Sequence, residues 1–395
     1  MDFLFRPDRS LGFVCSCGKG GLVDTIRYMK IAILHDYLNQ YGGAERVLET
    51  ILEMFPDAHL YTLLYDKDKL PSSFEKNFKK ASVLNNRLVK NNHRLFIPLM
   101  PILAETIKAE DEYDMVISSS AGYGKGIGVK APFHICYCHT PLRYAWEFDY
   151  LGNFKYSPRF FAKIFSPIAR YLKNWDKKAS EKVNIFVANS NYIARKIESY
   201  YQRESHVVYP PVDLTKFYPE PDSFKNHDDY YLMVGRFLYY KLFDLGIDVF
   251  NKLNKPLKIV GSGPEKRKLE KIAGPNIEFI SGISDDELRR VYSNAKAFIF
   301  PQIEDFGLVA AEAQACGVPV IAYNAGGAKE IVENNKTGVF FEVQETDSLI
   351  SAIRSFENMN LDRKYIARRA ERFSKKKFKE NFLKILKEQG FDFKE

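Results

Sequence analysis

Along this chain short apolar runs alternate with polar turns and with stretches whose apolar positions recur every three or four residues. In the first half the runs are Ile31–His35, His59–Tyr65, Met115–Ser118, Phe133–His139, Ile185–Asn189 and Val207–Tyr209. Helical stretches fall between them, as at Ala44–Phe55, where Val47, Ile51, Leu52 and Phe55 share one face. The second half repeats the rhythm with Tyr231–Val234, Leu257–Val260, Ile277–Ile280, Ala297–Phe300 and Val318–Ala322. Its helices are Leu245–Leu253, Glu265–Ile272, Asp285–Asn294, Leu308–Ala315 and Ala328–Glu333. Such alternation predicts parallel sheets with helices on both faces. The expected fold is therefore α/β, with two doubly wound, Rossmann-like domains facing an interdomain cleft. Ligands of such sheets bind beyond the carboxyl ends of the strands.

Prolines at Pro210 and Pro211, then a polar stretch from Pro219 to Asp229, suit a hinge between the halves. The expected domains are 29–215 and 216–372, followed by a C-terminal segment, 373–395. That segment carries a helix, Lys376–Glu388, whose Phe378, Phe382 and Ile385 share a face and pack back on the first domain. Residues 1–28 show neither apolar period, and Lys19-Gly20-Gly21 breaks any element. They also lack the apolar core of a signal peptide and read as a non-native or disordered extension, with Met29 as the natural start.

A length of 395 residues fits two domains, and an apolar fraction of 46% is ordinary for globular proteins. No stretch approaches the roughly 20 apolar residues that span a bilayer, so a cytoplasmic, peripheral location is expected. The net charge of +8 is uneven. Lys76, Lys79, Lys80, Arg87, Lys90 and Arg94 follow one another with no acid among them. A second basic run, Lys155–Lys182, is interleaved with Phe160, Phe161, Phe165, Tyr171 and Trp175. Each run alone is a solvated helix face; the pair also suits an anionic membrane surface. The five cysteines include Cys15/Cys17 and Cys136/Cys138, spaced more tightly than zinc ligands, and Cys316 at a helix end suits packing. An odd cysteine count makes no disulfide scaffold and points to the cell interior.

Chemistry concentrates in Glu304-Asp305-Phe306-Gly307-Leu308-Val309-Ala310-Ala311-Glu312, between a strand and a helix. Gly307 and Leu308 place backbone N–H groups at a helix N-terminus, which favours phosphate. Glu304 can take hydrogen bonds from sugar hydroxyls, and Glu312 can reach a ribose diol. Carboxylates beside a diphosphate need cations nearby, and the first strand of this half ends in Gly235-Arg236, with Lys241 beyond. The plain alternative for Arg236 and Lys241 is ion pairing with Asp244 or Asp248. Gly42-Gly43 and Gly261-Ser262-Gly263 are bare turns after strands. The second lacks the third glycine and later acid of a dinucleotide fingerprint, which argues against a dehydrogenase. His139 ends a strand before Thr140-Pro141 and points at the cleft; His35 competes for that role.

The run GRFLYYKLFDLGIDVFNKL, VGSGPEKRKLE, FISGISDDELRRVYSNAKAFIFP and EDFGLVAAEAQACGVPVIAYNAGGAKEIV resembles glycosyltransferase family 4, in order. HDYLNQYGGAERVL, CYCHTPLRYAWE, VANSNYIARKI and VVYPPVDLTKFYP agree, and resemble the branch of O-antigen mannosyltransferases that use GDP-mannose. The resemblance spans about residues 29–385. It implies the two-domain GT-B architecture, with an acceptor-side first domain and a second domain that binds the nucleotide sugar. It implies retention without a metal and no cofactor beyond the donor, probed first as GDP-mannose. By position, Glu304 contacts the transferred hexose, Glu312 the ribose, and Arg236 and Lys241 the diphosphate. Gly42, Gly43, Gly235 and the segment Asp305, Phe306, Gly307 and Leu308 line the donor. Ser262, Gly263, Gly282 and Ile283 lie where the base sits, and His139 faces the donor hexose. The acceptor is a saccharide, read as lipid-linked, in surface polysaccharide or O-antigen synthesis. Rival readings are a UDP-sugar enzyme of the same architecture, an epimerase or phosphorylase, and a basic nucleic-acid- or membrane-binding protein without enzymatic activity.

Overall fold

The computed structural model describes residues 29–147, 158–220, 223 and 228–393, and side chains outside 158–165. The extension 1–28 with Cys15 and Cys17, and the side chains of Lys155, Phe160, Phe161 and Phe165, lie outside the described residues. Two compact units emerge. Of the described residues, one gathers those from 29 to 187, with 203–206 and 379–393; the other gathers 188–202 and those from 207 to 378.

The first unit is built on a parallel sheet. Its elements are β1 (Ile31–Leu38), α1 (Gly43–Met54), β2 (His59–Tyr65), β3 (Phe78–Ala81), α2 (Arg87–Asn92), α3 (Met100–Thr106), β4 (Met115–Ser120), β5 (Phe133–Cys138), α4 (Arg143–Trp146), α5 (Pro158–Glu181) and β6 (Ile185–Ala188). After α6 (Asn191–Tyr201), which belongs to the second unit, β7 (Ser205–Val207) completes a seven-stranded sheet of order β3-β2-β1-β4-β5-β6-β7. β1 and β4 are buried on both faces, as parallel strands between helices must be.

The second unit holds β8 (Tyr231–Val234), α7 (Phe243–Leu253), β9 (Leu257–Val260), α8 (Lys266–Ile272), β10 (Ile277–Ile280), α9 (Asp285–Asn294), β11 (Ala297–Phe300), α10 (Leu308–Ala315), β12 (Val320–Tyr323), α11 (Ala328–Ile331), β13 (Gly338–Phe341), α12 (Thr346–Glu357) and α13 (Arg363–Ala370). Its parallel sheet runs β10-β9-β8-β11-β12-β13. α14 (Lys375–Glu388) closes the chain, and from Lys379 onward it belongs to the first unit. There Phe382 and Leu386 are buried, Phe391 packs on Phe133, Phe393 packs on Phe55, and Lys379 pairs with Glu53 at 2.9 Å.

Most expected strands and helices stand within a residue or two of the pattern. Four runs shift: β1 extends past His35 to Leu38, β4 extends to Ser120, β7 is Ser205–Val207 rather than Val207–Tyr209, and β12 is Val320–Tyr323 rather than Val318–Ala322. Cys136 and Cys138 are free thiols buried in β5, and Cys316 is a buried free thiol just past α10.

A buried ion pair ties the first unit together behind β4. Lys125 Nζ lies 2.5 Å from Asp176 Oδ1 and 2.6 Å from the Gly122 carbonyl, while Trp146 Nε1 donates to Asp176 Oδ2 at 2.8 Å. Burial alone would lower the Lys125 pKa, but the Asp176 carboxylate, with smaller contributions from Cys138 and Cys136, turns the net shift upward. Asp176→Asn should leave the ammonium uncompensated and cost about 3–5 kcal/mol. Urea unfolding checks this; a loss under about 1 kcal/mol would mean that water, not Asp176, solvates Lys125.

Candidate functional site

In the second unit the strand order reverses between β8 and β11, with β9 and β10 on one side and β12 and β13 on the other. Chains leaving the carboxyl ends of β8 and β11 must part there, and a crevice opens at such a switch point. The structure sets the two strongest sequence signals on either side of it. Gly235-Arg236 follows β8, and Glu304–Gly307 follows β11. Lys241 Nζ makes an ion pair with Glu304 Oε1, which also accepts from Gln302 Nε2 at 3.3 Å. The expected alternative partners are engaged otherwise in one case: Asp248 takes Thr346 Oγ1 at 2.6 Å and Lys252 at 3.3 Å. Arg236 is exposed.

The loop between β11 and α10 is held from several sides. Gly307 caps α10 with φ +103°, and a Cβ there would come within 2.7 Å of Phe300 Cζ, so a larger residue is excluded twice over. No side chain caps α10 and no acid stands in its first turn, so its N-terminal amides keep their affinity for an anion. Phe306 is buried, with Tyr209 stacked at 5.6 Å and Phe373 edge-on at 5.3 Å. The Glu304 carbonyl accepts from Gly327 N at 2.9 Å, and the Asp305 carbonyl accepts from Ser190 Oγ at 2.5 Å. Asp305 also lies 3.6 Å from Lys196. Ser190 caps α6, and the first amides of α6 take the Glu330 carboxylate, Asn191 N at 2.9 Å and Tyr192 N at 3.1 Å. Gln302, Gly327, Ser190, Lys196 and Glu330 are supports that periodicity did not single out.

Glu312 sits inside α10, buried beside Tyr292, whose hydroxyl donates to it at 3.4 Å. Burial and the nearby Glu312 push the Cys316 thiol well up. The glycine turns after β8 and β9 press together. Phe237 N donates to the Ser262 carbonyl at 2.8 Å, and a Cβ on Gly261 would collide with the Gly235 carbonyl oxygen. Gly261 N donates to Ile280 O at 2.9 Å, which brings the Gly282–Ile283 turn beside Ser262 and Gly263. Gly282 has φ +74° and open space around it.

In the first unit the switch point lies between β1 and β4, where Asp36 is buried near the carboxyl end of β1. Its carboxylate accepts from the backbone N–H groups of Ala121, Tyr123 and Gly124, the last at 2.6 Å. His139 lies just past β5, and its N–H donates to Ser120 O at 2.8 Å. Its Nε2 is 2.8 Å from Ser119 Oγ, which is 3.2 Å from His35 Nδ1. His35 Nε2 is 3.7 Å from Glu45 Oε1, and Glu45 Oε2 accepts from Gly42 N at 2.7 Å. The two candidate histidines thus form a buried chain through Ser119 and Glu45 that reaches the backbone of Gly42. Burial, then the neighbouring His35, lowers the His139 pKa to about 3. Ser119 Oγ thus bridges the two imidazole rings.

Among the described residues no group of three or more His, Cys, Asp or Glu side chains has the arrangement of a metal site. No helix among them is long and apolar enough to cross a membrane.

Two family models match this chain in succession. The Glycosyltransferase Family 4 model covers residues 41–216, and the Glycosyl transferases group 1 model covers 215–373. An uncharacterized glycosyltransferase of Methanocaldococcus jannaschii is 24% identical over 88% of this chain and 94% of its own length. A GDP-mannose-dependent α-(1-6)-phosphatidylinositol monomannoside mannosyltransferase of Mycolicibacterium smegmatis is 30% identical, over 36% of this chain and 44% of its own. The chain therefore matches less than half the length of that mannosyltransferase. Among solved structures, a sucrose-phosphate synthase of Thermosynechococcus elongatus superposes with TM-score 0.71 at 16% identity, covering 91% of this chain and 99% of that one. HepE of Anabaena, crystallised with UDP-glucose, does so with TM-score 0.66 at 18% identity, covering 91% and 100%. Both show the fold.

The lowered pKa carries a sign. Between about pH 6.5 and 3 the unfolded chain binds a proton at residue 139 that the native fold refuses, so this group's contribution to stability falls as pH falls through that window. In a histidine 15N NMR titration His139 should remain neutral down to about pH 4. Protonation with a midpoint near 6.5 would overturn the buried chain as described.

Proposed function

We propose that this chain, which belongs to glycosyltransferase family 4, transfers a hexose from a nucleoside diphosphate sugar to a saccharide acceptor with retention of anomeric configuration. The observation that carries the proposal is the Lys241–Glu304 pair across the switch point of the second unit, beside the uncapped N-terminus of α10.

A nucleoside diphosphate is a leaving group whose negative charge grows as the glycosidic bond breaks. Lys241 and Arg236, with the Gly307 and Leu308 amides, are the fixed positive groups that stabilise it. The donor diphosphate competes with Glu304 for Lys241, and Glu304 so released accepts from hydroxyls of the hexose. Glu312 and the turns at Gly235, Ser262, Gly263, Gly282 and Ile283 are assigned to the nucleoside, and Asp305 and Phe306 to positioning the loop. His139 is assigned to a hydroxyl of the donor hexose, and Gly42 and Gly43 to the donor. Retention without a carboxylate nucleophile follows if the departing phosphate oxygen takes the proton of the acceptor hydroxyl as that hydroxyl attacks from the same face.

The partial match to GDP-mannose-dependent relatives supports mannose from GDP-mannose. A specific observation favours a second reading: the solved HepE structure holds UDP-glucose on the same fold, which supports a UDP-sugar donor instead. The acceptor is proposed to be lipid-linked, in surface polysaccharide or O-antigen synthesis, with the protein peripheral at the inner face of the cytoplasmic membrane.

A thermal-shift panel of GDP-mannose, UDP-glucose, UDP-N-acetylglucosamine and ADP-glucose, each with and without EDTA, separates the donors. Stabilisation by GDP-mannose alone, indifferent to EDTA, is the expected result; preference for a uridine donor would replace the mannosyl reading. Lys241→Ala should lower kcat by about 10²–10³ with a smaller effect on donor binding. Unchanged turnover in a folded variant would remove Lys241 from the mechanism.

A further inference from the structure

Among the described residues, those other than glycine that hold a positive φ are Gln202 at +58°, Leu242 at +53°, Asn254 at +51° and Asn335 at +63°. Three of them sit where that conformation is ordinary. Gln202 and Asn254 end α6 and α7, and the Gln202 amide bonds back to Glu198 O at 3.4 Å and Ser199 O at 3.1 Å. Asn335 lies in the turn before β13. Leu242 fits neither case. It stands at the start of α7, where a capping residue is normally extended and polar, and its alkyl side chain forms no local hydrogen bond. A leucine held left-handed is strained, so its surroundings must impose the conformation.

Two anchored phenylalanines do so. Phe237 and Phe243 are both buried, with their rings 4.9 Å apart and edge to face. The Phe237 backbone is held as well, its N–H donating to the Ser262 carbonyl at 2.8 Å and its carbonyl accepting from Glu265 N at 3.3 Å. The chain from Leu238 to Leu242 must therefore leave this aromatic pair and return to it. It does so through a 3₁₀ turn, Tyr239–Lys241, closed by Lys241 N to Leu238 O at 2.9 Å and Leu242 N to Tyr239 O at 3.3 Å. A right-handed residue at 242 would carry that turn onward as helix. The left-handed one reverses it, and α7 begins at once, with Gly246 N donating to Leu242 O at 3.3 Å. Immediately before the reversal stands Lys241, whose ammonium pairs with Glu304 and lies 5.4 Å from the centre of the Tyr240 ring.

We propose that Leu242 is a positioning residue: its left-handed backbone, imposed by the Phe237–Phe243 pair, aims Lys241 at Glu304 and at the donor diphosphate, at the expense of stability. The proposal rests on the reading that Lys241 acts on that diphosphate. A lysine on a loose loop reaches many points, and what the turn adds is a fixed Cα. Fixing it matters because a shift of about 1 Å at a reacting centre can lower the rate about 10²-fold. Leu242 is only half-buried, so packing of its side chain offers little to set against the strain. Sites where local preference and global fold disagree are where function is found to hold the backbone.

Stability and turnover of the full chain test the two halves of this claim. Leu242→Gly and Leu242→Ala both remove the leucine side chain, and only glycine takes a positive φ freely. The glycine variant should melt above the alanine variant by about 2–4 °C. At an unstrained position the order is reversed, and that order would overturn the proposal. Turnover is read as nucleoside diphosphate released from GDP-mannose or UDP-glucose, whichever stabilises the protein. Leu242→Val, β-branched and more strained still, should lower kcat by about tenfold or more with a smaller change in donor KM, and glycine at 242 should recover most of that loss. In a Lys241→Ala background the valine should lower kcat no further, because no ammonium is left to aim. A folded valine variant with full kcat, or one that loses as much without Lys241 as with it, would also overturn the proposal. Full turnover in Lys241→Ala alone would be the failure of the Lys241 reading, and the proposal would fall with it.

Discussion

Parallel strands send every carboxyl end to one edge of the sheet, and a sheet that winds both ways from its first strand must part its connections there. That constraint creates the site in each unit before any catalytic residue is chosen. In the second unit it sets the ends of β8 and β11 side by side, so residues far apart in sequence, Lys241 and Glu304, meet as an ion pair. In the first unit it does the same for β1 and β4, and His35 and Ser119 meet across the gap. A crevice so placed exposes backbone amides, and the units fill it differently. The second leaves the amides of α10 uncapped. The first gives the amides of Ala121, Tyr123 and Gly124 to Asp36, which removes them as an anion site and makes a rigid floor instead.

Rigidity around the β11–α10 loop is built from the inside out. Phe306 is pinned between Tyr209 and Phe373, and the carbonyls on either side of it are tied to Gly327 and Ser190. Each bond fixes backbone rather than side chain, so the Glu304 carboxylate can change partners while its Cα stays put. A group that must trade Lys241 for a substrate hydroxyl needs that division between a fixed backbone and a free head.

The fold was largely legible because parallel strands buried on both faces leave an unmistakable apolar run. The missed strands share a cause, whereas α12 and α13 were passed over in the helical pattern itself. β3, Phe-Lys-Lys-Ala, lies at the sheet edge and is half polar, while β13 begins with a glycine and lies at the other edge. Neither carries the signature of a central strand. Within the site, residues that bear chemistry at strand ends were readable, since glycine turns and charged side chains stand out against apolar flanks. Their supports were not. Asp36 and Ser119 act through partners 88 and 20 residues away, and nothing local to β1 or β4 marks them.

Charge shows the same limit from the other side. Read along the chain, Lys76 to Arg94 is one basic block; in the fold its lysines find acids brought in by β2 and by the loop before β4. Net charge over a window measures what is near in sequence, whereas the field at a surface depends on what is near in space. An amphipathic pattern is more robust to folding than a charge pattern, because burial removes one face only. Had Leu88, Leu95, Leu99 and Ile102 belonged to the core, the segment would have needed apolar neighbours on two sides; it has them on one. Their exposure is therefore a property of where the segment lies on the unit, which sequence periodicity alone could not have told.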